Sequence, residues 1–242
     1  MDLTEKSLIN NHRHPWELSR TKCILDIVNR LSPSSVIDIG AGDLYFLSEL
    51  KPFISGSLYA IDKEYKIKAQ TVDNIHLLNN ISELPESESG IVILMDVLEH
   101  IYDDSMFLKE TLEKTKRCDT FLITVPAFNF LFSSHDAFLK HHRRYNQKQL
   151  LSLIYSHNLH VERCHYFYTS LFLVRFLSCL LNKNNNRHEV GIGEWQFSKK
   201  HIVTKIIYKV LNIDFSICGF LARFNIFLPG LSLLAVCKRR KV

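Results

Sequence analysis

The stretch Val36-Ile37-Asp38-Ile39-Gly40-Ala41-Gly42-Asp43 decides how this chain reads. An apolar, β-branched run ends in two glycines separated by one residue. Glycine tolerates the left-handed backbone of a tight turn and lets the main chain approach a ligand closely. Asp38, at the strand end, can accept a charge-assisted hydrogen bond from an ammonium group. A pyrophosphate-binding G-x-G-x-x-G would need its third glycine at position 45, where Tyr45 stands, which argues against NAD or FAD. Further along, Ala60-Ile61-Asp62 closes a second apolar run. A carboxylate here reaches the two hydroxyls of a ribose. An Asp after a strand also serves as a plain helix cap, so it is the ordered pair, Asp38 then Asp62, that singles out a nucleoside ligand.

Working outward, short β-rich runs occur at Ser35–Ile39, Leu58–Ile61, Ile75–Leu78, Gly90–Met95, Asp119–Val125, Leu159–Tyr168 and Leu231–Lys238. Helical stretches alternate with them at Pro15–Leu31, Leu44–Lys51, Glu64–Gln70, Asp103–Lys116 and Gln147–His157. Parallel neighbours need a crossover helix, so this alternation predicts an α/β fold. The expected architecture is a Rossmann-like, seven-stranded, mostly parallel sheet with helices on both faces and a helical insertion before the last strand. In such sheets ligands bind beyond the carboxyl ends of the strands. The 242 residues suit one domain, 1–242, with an N-terminal helical lid over 1–31 and a helical cap over 169–228.

The run from Val36 to Asp43 resembles motif I of class I S-adenosylmethionine-dependent methyltransferases, and Asp62 matches the acidic residue of their motif II. Asn80-Ile81-Ser82-Glu83-Leu84-Pro85 resembles the loop after the third strand, with Asn80 in place of the usual Asp; its amide oxygen can accept the same hydrogen bond from an adenine amino group. Asp96-Val97-Leu98-Glu99-His100-Ile101 resembles the motif after the fourth strand. Val125-Pro126-Ala127, Ser133-Ser134-His135-Asp136 and His142-Arg143-Arg144-Tyr145 are similar to one bacterial branch of the superfamily, some of whose members lie near polysaccharide or secondary-metabolite genes. The resemblance implies S-adenosylmethionine as cofactor and S-adenosylhomocysteine as product. It places Asp38, Gly40, Ala41, Gly42, Asp62, Lys63, Asn80, Ile81, Asp96 and Val97 around them.

Methyl transfer from a sulfonium needs alignment and, for a hydroxyl acceptor, removal of a proton. Acceptor-side residues should follow the fourth and fifth strands. His100, His142 and Glu99 are the catalytic candidates, and His135, Asp136, His141, Arg143, Arg144 and Tyr145 the acceptor-binding ones. A histidine can serve as general base. Alternatively, Asp96-x-x-Glu99-His100 resembles the Glu-x-x-Glu-His metal site of ubiquinone-pathway and small-RNA methyltransferases, which would suit magnesium or manganese. The first Glu is Asp here, and the expectation is no metal. Arg143 and Arg144 either close the loop through ion pairs or contact an anionic acceptor. His14-Pro15-Trp16-Glu17 either lids the cofactor or packs.

Between the last two strands lie unusually apolar runs at Thr169–Leu181 and Ile213–Leu228, each interrupted by an arginine, Arg175 or Arg223. Neither suits a bilayer span of about 20 apolar residues. Three uses remain open: a cap over an apolar or carrier-linked acceptor, a homodimer surface, or a peripheral membrane contact aided by Lys199, Lys200, Lys205 and Lys209. The net charge of +5 and basic residues late in the chain, without base-stacking aromatics or zinc-finger spacing, argue against nucleic acid. Six scattered cysteines without a C-x-x-C pair and a polar Met1–His14 fit a cytoplasmic protein, at most peripheral to the inner membrane. Asn182–Arg187 reads as a solvated linker. Two other functions compete with a small-molecule methyltransferase: a catalytically silent cofactor-binding scaffold, and a nucleic-acid methyltransferase.

Overall fold

The computed structural model describes residues 12–66, 69–181 and 197–240. The linker reading at Asn182–Arg187 and most of Met1–His14 lie outside them. Helix α1 (Pro15–Leu31) leads into β1 (Val36–Ile39), α2 (Tyr45–Leu50) and β2 (Leu58–Ile61). Then come β3 (Gln70–Val72), β4 (Ile75–Leu78), β5 (Ile91–Met95), α3 (Asp104–Lys114) and β6 (Thr120–Pro126). The chain continues through α4 (Ser134–Phe138), α5 (Gln147–Ser156), β7 (Leu159–Phe167), α6 (Thr169–Leu181), α7 (Ile202–Ala222) and β8 (Ser232–Arg239).

The strands form one sheet in the order β3-β4-β2-β1-β5-β6-β8-β7. The central five, from β4 to β6, run parallel; β8 inserts antiparallel between β6 and β7. Successive side chains of a strand face opposite sides, so the core divides in two. Ile37, Val92, Leu94, Phe121 and Ile123 pack with Leu108 and Leu112 of α3 and Leu150 and Ile154 of α5. Val36, Ile91, Ile93 and Leu122 pack with Ile24 and Val28 of α1, Leu47 of α2 and Leu211 of α7. Asp38 alternates onto this second side, under α1.

The sheet has eight strands rather than seven. The extra one, β3, pairs antiparallel with β4 and begins at Gln70, the last residue of the helix expected at Glu64–Gln70, whose described residues 64–66 and 69 are not helical. Its signal was Asp73-Asn74, which take φ of 50° and 62°. Two consecutive left-handed residues make the hairpin turn whose twist matches the flanking strands, and Asp and Asn tolerate that conformation. The helical insertion before the last strand is α6 and α7.

Candidate active site

The glycine turn sits at the carboxyl end of β1. Gly40 and Gly42 have φ of 77° and 56°. The Gly40 N–H donates to the Ile61 carbonyl at 2.7 Å, and Ala41 N–H to the same oxygen at 3.3 Å. A Cβ on Gly40 would lie 2.6 Å from Cγ2 of Val97, so the turn closes against the segment after β5. The Asp62 carboxylate caps the opposite wall, accepting from Gly42 N–H at 2.9 Å and from Glu64 N–H at 2.9 Å. Asp38 lies beneath, 1% exposed, and neither of its carboxylate oxygens has a hydrogen-bond partner among the described residues. Burial pushes its pKa up to about 7. A buried carboxylate left unpaired is costly, which makes it a fit for a cationic ligand group. Asn80 caps the short turn Ile81–Glu83, its Oδ1 accepting from Ser82 N–H at 2.9 Å. Lys63 is exposed beside Asp62.

Two arginines missed by the sequence reading complete this wall. Arg20 of α1 pairs with Asp96 and lies 4.6 Å from the Trp16 ring centre. Arg13 pairs with Asp43 and with Glu17, and lies over the Tyr45 ring at 3.8 Å. Asp96 itself has φ of 54° and is fixed by Thr124, whose Oγ1 donates to its Oδ1 at 3.1 Å. The helical periodicity of α1 marks its buried face but carries no signal for which strand ends its charged side chains reach.

Beyond β5 and β6 a second constellation forms around Asp136, which is fully buried. Arg144 binds it with two nitrogens, Nε to Oδ1 at 2.8 Å and Nη2 to Oδ2 at 3.0 Å. His141 Nδ1 lies 2.9 Å from Oδ1, and the Ser133 N–H and hydroxyl donate to Oδ2. Burial pushes the carboxyl upward, but the hydrogen bonds from His141 and Arg144 outweigh it and hold Asp136 well below the usual carboxylate range. A permanent anion on Nδ1 selects the tautomer that leaves Nε2 as the acceptor. Glu99, His100 and His141 offer ligand atoms within 4.8 Å of one another. Glu99 is fully buried, its two oxygens lack hydrogen-bond partners among the described residues, and burial pushes it up to about 8.

The expected acceptor residues thus separate into two groups. Arg144 is buried on Asp136 and the Ala127 carbonyl. Arg143 pairs with Asp104 at 3.0 Å, and Tyr145 donates to the same carboxylate at 2.6 Å. These three brace the loop. His142 is exposed, its ring edge on Tyr102 and its N–H donating to the Glu99 carbonyl at 2.7 Å. His135 is half-buried, its pKa lowered by burial. Asp96, joined to Arg20 and Thr124, is not part of the Glu99–His100–His141 group.

Solved structures share this architecture. N-methyltransferase NodS from Bradyrhizobium japonicum, in complex with S-adenosyl-L-homocysteine, superposes with a TM-score of 0.55 at 12% identity, over 98% of this chain and 96% of its own. A putative methyltransferase complexed with the Haloferax volcanii Trm112 activator gives 0.55 at 14%, over 93% and 90%. The methyltransferase domain of bacterial CtHen1-C gives 0.54 at 13%, over 93% and 100%. No protein-family model and no curated protein matches the sequence. At these identities the likeness is one of fold: the chain shares the α/β architecture of these methyltransferase structures.

Proposed function

We propose that the chain is an S-adenosylmethionine-dependent methyltransferase acting on a hydroxyl of a small, apolar acceptor. The observation that carries the reading is Asp38: a buried, unpartnered carboxylate beneath a two-glycine turn, paired in register with Ala60, two residues before Asp62. S-adenosylmethionine supplies a methyl group on a positively charged sulfur together with an ammonium, a carboxylate, a ribose and an adenine. Asp38 would take the ammonium, Asp62 the ribose hydroxyls, and Arg20 the carboxylate; Asn80, Ile81 and Lys63 would flank the adenine and ribose. His141, oriented by Asp136, would take the proton of the acceptor hydroxyl through Nε2, with His100 and His135 beside it. The aromatic side chains Phe128 and Phe130 after β6 support an apolar acceptor.

Calorimetric titration with S-adenosylhomocysteine tests the cofactor half. Micromolar binding is expected, lost in Asp38→Ala and in Gly40→Val, where a side chain meets Val97. A folded wild-type protein that ignores both cofactor forms would refute it. The acceptor half is tested by mass spectrometry of an extracted metabolite pool for a gain of one methyl group.

A second reading rests on the Glu99–His100–His141 group. A buried carboxylate and two imidazoles suit a divalent cation, and the Asp136–His141 contact is the outer-shell bond that orients a ligating imidazole. The cation would polarise the acceptor oxygen in place of a free base. Turnover abolished by chelation and restored by manganese would select this reading over the metal-free one.

A further inference from the structure

Helix α7 has apolar faces on opposite sides. Thr204, Leu211 and Cys218, seven residues apart, are buried, on the side packed against α1 and β7. Ile202, Ile206, Val210, Ile213, Ile217 and Phe220 recur every three or four residues and so form one stripe. Each of the six is between 48% and 64% exposed. Helix α6 adds Val174, Leu177 and Leu181, exposed by 67%, 55% and 83%. Contiguous exposed apolar surface on this scale marks an interaction site.

The charge around the stripe identifies the partner. Lys199, Lys200, Lys205, Lys209 and Arg223 are exposed, and Lys205 and Lys209 directly precede the stripe residues Ile206 and Val210. From residue 197 to residue 227 the sole carboxylate is Asp214. It turns inward to accept the N–H groups of Thr169 and Ser170 at 3.0 and 2.7 Å. Across the described residues 169–181 and 197–227 the face is therefore apolar with a cationic rim and no outward carboxylate. In a two-fold homodimer the patch would meet itself, setting lysines against lysines. An anionic bilayer offers acyl chains to the stripe and phosphates to the rim. Among the described residues no helix is long and apolar enough to cross a membrane, so the helices would lie on the surface.

We infer that the exposed face of α6 and α7 docks on an anionic lipid bilayer. An aromatic row ties this face to the strand ends: Phe128, after β6, lies 5.4 Å from Phe172 of α6, which stacks on Phe176 at 5.8 Å. Resting on the methyltransferase reading, this continuity assigns the acceptor to the lipid-borne class.

Flotation of the full chain with vesicles of phosphatidylcholine, with and without phosphatidylglycerol, tests the docking. The wild type is expected to float with the anionic vesicles alone and to be released by salt. I206D/I213D and K205Q/K209Q are each expected to lose at least about tenfold in binding, while circular dichroism and S-adenosylhomocysteine titration stay unchanged. Wild-type protein that remains unbound at both compositions overturns the inference, as does binding indifferent to both variants. A concentration-dependent dimer broken by I206D/I213D, without vesicle binding, would reassign the face to self-association and overturn it too. Loss of cofactor binding by the wild type in the same samples would sink the methyltransferase reading and leave the flotation result standing.

Discussion

At the scale of single residues, Asp38 concentrates the chemistry because burial and lack of a partner act on one carboxyl. An exposed Asp ionises near pH 4, whereas burial moves Asp38 up to about 7. Folding of the free protein therefore takes up a proton between these values. The stability that this group contributes is full below about pH 4 and is lost as pH rises through 7. Under the proposed role of Asp38, cofactor binding would run in the opposite direction, because an ammonium group prefers the carboxylate. S-adenosylhomocysteine affinity should weaken as pH falls below 7, approaching about tenfold per pH unit. Asp38→Asn should flatten both slopes and bind weakly throughout. Calorimetric titrations at several pH values read this directly; an unchanged slope in the Asn variant would assign the proton elsewhere.

At the scale of elements, the loop between β6 and α5 is held by the buried Asp136–Arg144 pair. Breaking such a pair strands the remaining charge, which costs about 3–5 kcal/mol. Arg144→Met is expected to lower the unfolding free energy by that order in denaturant titration. Asp136→Asn keeps the shape but removes the anion that selects the His141 tautomer. It should lower turnover and shift the pH–rate profile, with cofactor affinity preserved. A variant that loses stability but keeps its pH profile would make Asp136 a brace and nothing more. Much at this scale was legible in sequence. The helix at Pro15–Leu31 follows from its apolar spacing and the strands from their β-branched runs. Where the reading failed, the described residues of Glu64–Gln70 are not helical, and Gln70 opens a strand that the two-residue turn Asp73-Asn74 folds back on β4.

At the scale of the whole molecule, α1 and the residues just before it link the edge of the candidate crevice to α7. Arg13 and Arg20 reach Asp43 and Asp96, while Ser19 donates to Asn212 at 2.9 Å. A ligand that binds only the folded chain stabilises it by about 2.7 kcal/mol at a hundredfold excess over Kd. For a chain of this size that raises Tm by roughly 5–10 °C. Saturating S-adenosylhomocysteine should do so in a thermal scan, and Arg20→Ala should diminish the shift. An equal shift in wild type and Arg20→Ala would remove α1 from the site.

Val36–Asp43 and Asp62 show the division between sequence and tertiary structure. A glycine turn after a strand and an acid at the end of the next are local patterns, so the chain alone determined the α/β class and the candidate crevice at the ends of β1 and β2. Glu99 and His100 were equally visible, but their partner His141 stands some forty residues on, and packing alone joined them. The same holds for Arg20 over Asp96, and for which of α7's two apolar faces is buried. Periodicity states that a face is apolar; the sheet and α1, by covering one side, decided which face stays open. Contacts distant in sequence leave no spacing to read, because they arise only when separate elements are packed together.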